Sequence, residues 1–435
     1  MTGYVFIGDD FTGASDTLAT LAEAGLRARL FLDPPDVATV SREALDAVGF
    51  ATGLRALTPG KIVARLEVLA PIVRALAPRI LHYKVCSTFD SASDVGSIGA
   101  AVAALERLVE PALTVIVGGQ PGLGRYCVFG NLFARGPDGA VHRIDRHPVM
   151  SRHPVTPMGE ADLRLHLAAQ GIGDLALEPW PGLGEGLAGR LKAHIANGRR
   201  RVLVDVATQG DVAAIGAALA SLETSGHPLL VVGASSVAEA YLLAWKEAPS
   251  FSGRTRADAP SKPSAPCLAI AGSRSAVTAA QIEAAGLYAK MPVRRADLAG
   301  QGLQQIAGNA ADRLAAGGNA LVHLVSDEDY GLTGGELAER LALLAKAIFE
   351  IFPVKALCVA GGDSSSAVIH RLGVESMEFV DRFGPGVALC LGRSAATEVD
   401  GVMLLLKGGQ VGSVDIFDRF AELPARQALP DQRVI

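Results

Sequence analysis

The chain has 435 residues, and at about 150 residues a domain this length indicates two or three domains and excludes a single small module. Its 40 Lys and Arg residues against 45 Asp and Glu residues give a net charge of -5, so no bulk positive field favours nucleic acid or an anionic membrane surface. Hydrophobic residues make up 49% of the chain and aromatic residues 5%, which is typical of a globular α/β protein and not of a disordered chain.

The apolar stretches, the opening residues and the cysteines indicate where the protein is expected to be located. Every apolar stretch is interrupted well before the roughly 18 residues that a membrane-spanning helix needs, so we expect a soluble chain without a membrane partner. The opening residues MTGYVFIGDD contain no basic region followed by an apolar core, so no secretory signal is predicted. The five cysteines are odd in number, widely spaced and form no CxxC, which favours a reducing, cytoplasmic location.

Short β-branched runs alternate with Ala- and Leu-rich helical stretches, the pattern of βα units around a mostly parallel sheet. We predict a first strand over Tyr4–Ile7 and a helix over Thr12–Ala24 that ends at Gly25. An apolar stripe predicts a second clear helix over residues 98–109. Further strands are predicted from near Arg29 and over Arg79–Lys84, Leu113–Val117, Val202–Val206 and Leu229–Val232.

A change of composition separates the two halves of the chain. Glu247–Pro266 contains four prolines and four serines and has no hydrophobic period, so we place a linker at residues 248–265. Beyond it we predict strands over Cys267–Ala271, Ala356–Ala360 and Val402–Leu406, and helices over Gly334–Phe352 and up to Leu372. Thr333 and Glu336 are spaced as a capping box. The fold class predicted is α/β, with two three-layer domains, residues 1–247 and residues 266–425, on mostly parallel sheets.

The first polar segment after a strand is GDDFTGASD at residues 8–16, where Asp9 and Asp10 precede a helix. Ligands gather at the carboxyl ends of parallel strands, so this position favours a functional site. Two carboxylates there suit cation binding, hydrogen bonds from a polyol, or general-base catalysis. A structural alternative stays open, since Asp10 or Thr12 can simply cap the helix.

The second such segment is YKVCSTFDS at residues 83–91. Lys84 suits the carboxylate of a small substrate, and the hydroxyls of Ser87 and Thr88 suit a sugar chain. The structural alternative is a solvated lysine beside an ordinary Ser/Thr turn. Cys86 has no His nearby in sequence to activate it as a nucleophile.

Two middle segments give weaker indications. The loop GGQPGLGR at residues 118–125 has neither the GxGxxG order nor a Walker lysine, so a substrate loop and a plain glycine turn both fit. The segment HRIDRH at residues 142–147 holds two His and an Asp but lacks the helical HxxxH spacing. We therefore predict no metal site built by the protein.

The last segment is GGDSSS at residues 361–366, after the strand over Ala356–Ala360. Paired glycines let the backbone approach a phosphate, and the following helix N-terminus supplies N–H donors and positive potential. GSRS at residues 272–275 and KGGQ at residues 407–410 repeat this design at two other strand ends. Three such loops in one predicted domain favour a nucleotide site over three independent turns.

Segments spread across nearly the whole chain resemble the motifs of the four-carbon acid sugar kinases, in family order. They are IGDDFTGASD at residues 7–16, YKVCSTFDS at 83–91, GSIG at 96–99, RHPVTPM at 152–158, GSRS at 272–275, VAGGDSS at 359–365 and KGG at 407–409. In that family an N-terminal sugar-binding domain precedes a C-terminal nucleotide-binding domain, which agrees with the division drawn from composition.

The resemblance implies transfer of a phosphoryl group from ATP, with Mg²⁺, to the terminal hydroxyl of a small acid sugar. The residues implied on the acid-sugar side are Asp9, Asp10, Lys84, Ser87 and Thr88. The residues implied on the ATP side are Ser273, Gly361, Gly362, Asp363, Ser364, Gly408 and Gly409. Asp363 and Asp10 are the candidate general bases, with a preference for Asp363. A homodimer is compatible with this interpretation.

The run after the lysine bears on the substrate. Many family members carry Asp-Ser-Thr-Leu-Arg-Gly there, whereas this chain has CSTFDS at residues 86–91, which is similar to the 3-oxo-tetronate kinases. The resemblance thus implies 3-oxo-tetronate as the acceptor and its 4-phosphate as the product, with D-threonate or D-erythronate as the alternative. A haloacid-dehalogenase-type phosphatase is disfavoured, because Phe11 stands where its Asp-x-Asp loop needs the second Asp. A non-catalytic two-lobed sugar-acid-binding protein is the alternative from another class.

Overall fold

The computed structural model describes residues 3–153, 155–222, 226–245 and 266–423. The chain divides into two compact units, residues 1–255 and residues 256–435, which are taken in turn below. The predicted linker over residues 248–265 lies outside the described residues, so the predicted domain boundaries stay a prediction.

The N-terminal unit is built on a sheet whose neighbouring strands are all parallel. The strands of the unit are β1 (Tyr4–Gly8), β2 (Ala28–Phe31), β3 (Ala47–Ala51), β4 (Ile80–Lys84), β5 (Leu113–Val117), β6 (Arg125–Val128), β7 (Asn131–Arg135), β8 (Val141–Arg143), β9 (Ala176–Glu178), β10 (Arg201–Val204) and β11 (Leu229–Gly233). The order across the large sheet is β2-β3-β1-β4-β11-β5-β10-β9, and β6, β7 and β8 form a small antiparallel sheet.

Helices cover both faces of the large sheet. They are α1 (Phe11–Glu23), α2 (Val37–Glu43), α3 (Pro59–Leu76), α4 (Ile98–Val109), α5 (Leu163–Ala168), α6 (Leu187–Ala196), α7 (Gln209–Ala220) and α8 (Ser236–Trp245). Val5 of β1 belongs to a core with Leu66 of α3, whereas the ring of Tyr4 lies 4.7 Å from the ring of Tyr241 in α8. Successive residues of β1 thus face helices on opposite sides, which gives three layers.

The C-terminal unit repeats this layering around a mixed sheet. Its strands are β12 (Cys267–Ala271), β13 (Tyr288–Val293), β14 (Asn319–Leu324), β15 (Ala356–Ala360), β16 (Ser376–Gly384), β17 (Val387–Arg393) and β18 (Met403–Lys407). The order is β13-β14-β12-β15-β18-β17-β16, parallel as far as β18 and antiparallel beyond it. The helices are α9 (Ala276–Ala284), α10 (Gly300–Ala315), α11 (Gly334–Ile351), α12 (Gly362–Leu372) and α13 (Ile416–Ala421).

The α/β class with mostly parallel sheets is confirmed. Several element boundaries differ from prediction by one or two residues, and two of these differences have a clear local cause. Helix α1 begins at Phe11 and not at Thr12, because the Asp10 side chain accepts from the backbone N of Gly13 and so caps the helix one residue earlier. Strand β10 ends at Val204, because Val206 leaves the large sheet and pairs with Cys127 of β6 instead. Among the described residues, no helix is both long and apolar enough to cross a membrane.

Candidate functional site

The carboxyl ends of four neighbouring strands are level in the N-terminal unit. Gly8 of β1 and Gly233 of β11 both pair with Lys84 of β4, and Gly233 also pairs with Val117 of β5. The loops that follow these strands therefore start at the same edge of the sheet. This alignment brings the predicted segments at residues 8–16 and 83–91 together, as strand-end loops of adjacent strands.

Asp9 and Asp10 share one partner, Arg55, which sequence reasoning did not identify. The Arg55 guanidinium donates to Asp9 through Nη2 to Oδ1 at 2.8 Å and Nε to Oδ2 at 3.1 Å. Its third nitrogen, Nη1, lies 3.0 Å from Asp10 Oδ2. The other oxygen of Asp10, Oδ1, accepts from the backbone N of Gly13 at 2.8 Å. A planar fork fits two adjacent carboxylates in a way that a lysine cannot.

In this cluster, burial and ion pairing shift the pKa values of the charged groups in opposite directions. Burial raises the pKa of the Asp9 carboxyl, and the Arg55 guanidinium offsets part of that shift. Burial lowers the pKa of Arg55, but Asp10 and Asp9 more than compensate and hold it well above its usual value. Arg55 is therefore a fixed cation, and we take Asp9 as ionised at neutral pH because both of its oxygens accept from that cation.

Lys84 brings a second buried cation to the same edge. Its side chain is 4% exposed, and Nζ donates to the carbonyl O of Val85 at 2.9 Å. A Cβ at Gly13 would lie 2.6 Å from Lys84 Nζ and 2.6 Å from Asp10 Oδ1, so only glycine leaves room at that position. The lysine ammonium and the Asp10 carboxylate thus both face the first turn of α1.

The segment after β4 continues the polar cluster. The Thr88 hydroxyl donates to Asp90 Oδ1 at 2.5 Å and lies 2.9 Å from Cys86 Sγ. Burial opposes ionisation of Asp90, but Arg55 and the Thr88 hydrogen bond outweigh it, so the pKa of the Asp90 carboxyl lies below its usual range. Burial raises the pKa of the Cys86 thiol to about 11, so it stays protonated at neutral pH and is a poor nucleophile. Ser87, between them, is half-buried.

Arg55 and Asp90 are the functional candidates that the sequence interpretation did not select. Asp90 lies inside the quoted run CSTFDS but was not assigned a role. Arg55 lies in a short 3-10 turn after β3, a strand that was not predicted. Arg55 lies just beyond the end of β3, which is next to β1 in the sheet. This position would have indicated a site residue, but only if β3 had been predicted.

Three glycine loops meet at the strand ends of the C-terminal unit. The backbone N atoms of Gly272 and Ser273 both donate to the carbonyl O of Ala360 at 3.0 Å. The backbone N of Gly361 donates to the carbonyl O of Lys407 at 2.9 Å. The loops after β12, β15 and β18 are thereby joined by direct backbone hydrogen bonds. The structure brings together Ser273, Gly361, Gly362, Asp363, Ser364, Gly408 and Gly409 as neighbours along these loops.

Close approach explains why glycine stands at these positions. A Cβ at Gly409 would lie 2.3 Å from Ser273 Oγ. Gly361 has φ of +122°, a conformation that other residues rarely adopt, and a Cβ there would lie 3.1 Å from the backbone N of Ser273. The loops are therefore packed against one another without intervening side chains.

Side chains of α9 and of its N-cap residue, Ser275, hold the loop after β18 in place. Ser275 Oγ and Thr278 Oγ1 both donate to the carbonyl O of Gly409, at 2.5 Å and 2.9 Å. Gln281 Nε2 lies within 3.2 Å of the carbonyl oxygens of three successive residues, Val411, Gly412 and Ser413. Sequence reasoning missed Thr278 and Gln281, because nothing in a helix sequence shows that it faces a loop 130 residues later.

Helix α12 starts at this edge with Gly361 as its N-cap and Asp363 in its first turn. No side chain in the described ranges caps the helix, so its first N–H groups and its positive end face the loops. Ser364 is buried, whereas the Asp363 side chain is exposed. Among the described residues, no group of three His, Cys, Asp or Glu side chains could hold a metal ion.

Comparison with protein families defines the class. A family model described as sugar-binding N-terminal domain matches residues 4–241, and one described as nucleotide-binding C-terminal domain matches residues 268–417. The strand ends that carry Asp9, Asp10 and Lys84 lie within the first match, and the three glycine loops lie within the second. The protein is thus of a two-domain class that combines sugar binding with nucleotide binding.

Curated relatives identify the family. The 3-oxo-isoapionate kinase of Paraburkholderia graminis is 34% identical, with 96% of this chain and 93% of that protein covered. The 3-oxo-tetronate kinase of Methylobacterium radiotolerans is 30% identical, with 96% of this chain and 98% of that protein covered. The chain belongs to the four-carbon acid sugar kinase family, and it is a kinase.

Solved structures share the fold. A Salmonella typhimurium LT2 protein superposes with a TM-score of 0.78 at 23% identity, covering 96% of this chain and 97% of that chain. A Haemophilus influenzae protein of the family labelled DUF1537 superposes with a TM-score of 0.71 at 22% identity, covering 97% of this chain and 100% of that chain.

Proposed function

We propose that this kinase transfers the γ-phosphoryl group of ATP to the terminal hydroxyl of a four-carbon 3-oxo acid, with 3-oxo-tetronate giving the 4-phosphate. The observation that carries the proposal is that each unit contains one half of such a site. The N-terminal unit contains the acid-sugar cluster of Asp9, Asp10, Arg55 and Lys84, and the C-terminal unit contains three joined glycine loops. The run CSTFDS at residues 86–91 and the relatives named 3-oxo-tetronate kinase support the oxo acid.

On the acid side, the substrate carboxylate would be neutralised by Lys84 and by the N-terminus of α1. Among the described residues, the buried Lys84 ammonium donates to one backbone carbonyl, so it keeps donors for a carboxylate. Asp9 and Asp10 would accept from substrate hydroxyls while Arg55 holds them in place. The hydroxyls of Ser87 and Thr88 would complete the polar contacts.

On the nucleotide side, the phosphates would lie against the backbone N–H groups of residues 361–364 at the start of α12, beside Ser273, Gly408 and Gly409. Free helix N–H groups and the positive end of the helix dipole favour phosphate there. Mg²⁺ neutralises the phosphate oxygens in such reactions. The described residues offer no metal cluster of their own, which fits an ion held mainly by phosphate and water oxygens.

Asp363 is the general base that we favour. Both oxygens of Asp10 are occupied, one by the backbone N of Gly13 and one by Arg55, which leaves it poorly placed to take a proton. Asp363 is exposed and lies in the first turn of α12, among the glycine loops. A carboxylate that is free to rotate toward a hydroxyl is the better acceptor.

One experiment ranks the substrates. Purified full chain is incubated with ATP, Mg²⁺ and, in turn, 3-oxo-tetronate, 3-oxo-isoapionate, D-threonate and D-erythronate, and ADP release is followed. The 34% identical relative makes 3-oxo-isoapionate the specific competitor. We expect the highest kcat/KM with 3-oxo-tetronate. A higher kcat/KM with 3-oxo-isoapionate or with a plain aldonate would replace the proposed substrate, and no ADP with any acid would refute the proposed function.

A further inference from the structure

Lys407, the last residue of β18, is a buried cation that the proposed function has not used. Its side chain is 0% exposed. Among the described residues, the Lys407 ammonium donates one hydrogen bond, from Nζ to Thr278 Oγ1 at 3.4 Å. An ammonium group has three N–H donors, so the protein leaves most of its hydrogen-bonding capacity unused. Burying such a group is costly unless a charge elsewhere compensates it.

Within the described part of the chain, no carboxylate supplies that compensation. Among the described residues, no Asp or Glu lies within ion-pair distance of Lys407. The titratable group that faces it from β15 is Cys358, with Cys267 of β12 next to Cys358. Burial raises the pKa of both thiols to about 12, so both are uncharged at neutral pH.

Among the residues that the structure describes, neither helix on this face places a carboxylate within ion-pair distance of Lys407, and Glu283 of α9 is exposed. Helix α9 contributes Thr278 to the contact, and the buried side chains of α13 in this layer are apolar. The charged residues of α13 bind elsewhere. They are Asp418, which accepts from the backbone N atoms of Gly286 and Leu287, and Arg419, which donates to Ser413 and to the carbonyl O of Phe383. The buried charge of Lys407 is therefore not balanced by any carboxylate among residues 266–423.

The position of Lys407 connects it with the glycine loops. Its carbonyl O accepts from the backbone N of Gly361, the N-cap of α12. Thr278 Oγ1, which accepts from the ammonium, donates in turn to the carbonyl O of Gly409. The ammonium is thus two hydrogen bonds from Gly409 and lies beneath the loops where the phosphates are proposed to bind.

We propose that Lys407 balances the charge of the nucleotide phosphates from beneath the glycine loops and orients Gly409 through Thr278; this inference rests on the proposed ATP site. A cation attracts a polyphosphate strongly through a protein interior, because little water screens the interaction. An unpaired buried charge beside such a loop is also typical of functional sites. Lys407 is then a positioning residue that acts by charge and through Thr278.

Proton uptake on ADP binding tests the proposal. Burial lowers the pKa of Lys407 to about 8, so part of the population is neutral at pH 8. A bound anion would raise that pKa, and isothermal titration calorimetry in buffers of different ionisation enthalpy should show roughly 0.5 proton taken up per ADP at pH 8. The full chain is used, with ADP as the probe.

Three variants distinguish the effect of the Lys407 charge on ADP binding from a general effect on folding. Lys407→Met should weaken ADP binding about tenfold or more at pH 7, since a tenfold affinity change corresponds to one pKa unit of linkage, and should abolish the proton uptake. Thr278→Val should weaken binding but retain the uptake. Lys346→Met, which removes an exposed lysine of α11, should change neither quantity.

The contradicting results are specific. Wild-type affinity in Lys407→Met, or uptake that persists in it, would overturn the inference while the kinase activity of the wild type still stood. If Lys407→Met does not fold, the wild-type measurement decides, because ADP binding without proton uptake at pH 8 overturns the inference as well. A wild type that binds no ADP would overturn the proposed ATP site and this inference together.

Discussion

At the scale of single residues, Arg55 neutralises the negative charge of Asp9 and Asp10 in the acid-sugar cluster. It contacts both Asp9 and Asp10 and is itself only one quarter exposed. We expect Arg55→Met to lower the free energy of unfolding of the full chain by about 3 kcal/mol, because it leaves the buried Asp9 carboxylate unpaired. Urea denaturation measures this difference.

The matched control is Arg65→Met, which removes an arginine of similar exposure whose carboxylate partner at 3.3 Å, Asp33, is itself exposed. A surface pair contributes about 1 kcal/mol or less, so this variant should stay close to the wild type. Equal destabilisation by the two variants would show that Arg55 does not carry the charge balance.

The two candidate bases can be separated by kinetics. Asp363→Asn should reduce kcat by about 10²-fold or more with little change in the KM for the acid, because a general base acts in the transition state. Asp10→Asn should instead raise the KM for the acid, since Asp10 is held by Gly13 and Arg55 as a binding group. The opposite pattern would make Asp10 the base.

His82 gives the N-terminal unit an acid-sensitive contact. Its Nε2 faces the carbonyl O of Gly233 at 3.1 Å, so Nε2 carries the proton and Nδ1 accepts from the Tyr4 hydroxyl at 2.8 Å. Burial lowers the pKa of His82 to about 3, so the folded chain holds it neutral while the unfolded chain protonates it below about pH 6.5.

Stability should therefore fall as the pH drops from about 6.5 toward 3, by up to about 1.4 kcal/mol per pH unit from this residue. Urea unfolding at several pH values should show a shallower acid dependence in His82→Gln than in the wild type. His227→Gln, at an exposed histidine, is the control and should keep the wild-type slope. An unchanged slope in His82→Gln would contradict this account.

At the scale of elements, the glycine loops depend on close contact. Gly409→Ala would place a methyl group 2.3 Å from Ser273 Oγ and so displace a loop of the proposed ATP site. We expect a raised KM for ATP and an unchanged KM for the acid, with partial recovery in the double variant Gly409→Ala, Ser273→Ala. Steady-state kinetics with each substrate varied in turn measures both.

Gly335→Ala is the control for this prediction, because a Cβ at that position in α11 meets nothing within 4 Å. It should leave both KM values at wild-type levels. A Gly409→Ala enzyme with normal KM for ATP would mean that the loop after β18 does not contact the nucleotide.

Elements with a strong local pattern were predictable and those defined by distant partners were not. The strands over Leu113–Val117, Cys267–Ala271 and Ala356–Ala360 are found at the predicted bounds, because each is a buried apolar run between turns. The capping box of Thr333 and Glu336 is confirmed, because both of its hydrogen bonds are local. The hairpin of β16 and β17 was missed. β16 mixes polar and apolar residues and becomes a strand by pairing with β17, whereas β17 is a mostly apolar run that sequence reasoning overlooked.

The same distinction applies to the candidate sites. Loops that directly follow predicted strands, such as residues 8–16 and 361–366, could be selected from the sequence, since parallel strands end at one edge. Arg55, Thr278 and Gln281 act on residues far away in the chain, and only the folded structure shows those contacts.

At the scale of the whole molecule, each of the two family matches lies within one of the two units. Sugar binding falls in residues 4–241 and nucleotide binding in residues 268–417. The composition change near residue 247 led us to predict two domains, because a segment rich in proline and serine builds no core, and the boundaries of these domains stay a prediction. The assignment of roles to the two halves came from the motif resemblance, since either α/β unit alone is compatible with many functions.

The central claim is tested most directly by following the phosphorus atom itself. The full chain is incubated with ATP, Mg²⁺ and 3-oxo-tetronate, and phosphorus-31 NMR with mass spectrometry identifies the product. We predict a phosphate monoester on the terminal carbon of the acid, formed together with an equal amount of ADP. Release of free inorganic phosphate without any phosphorylated acid, or a phosphate attached to a different carbon, would contradict the account.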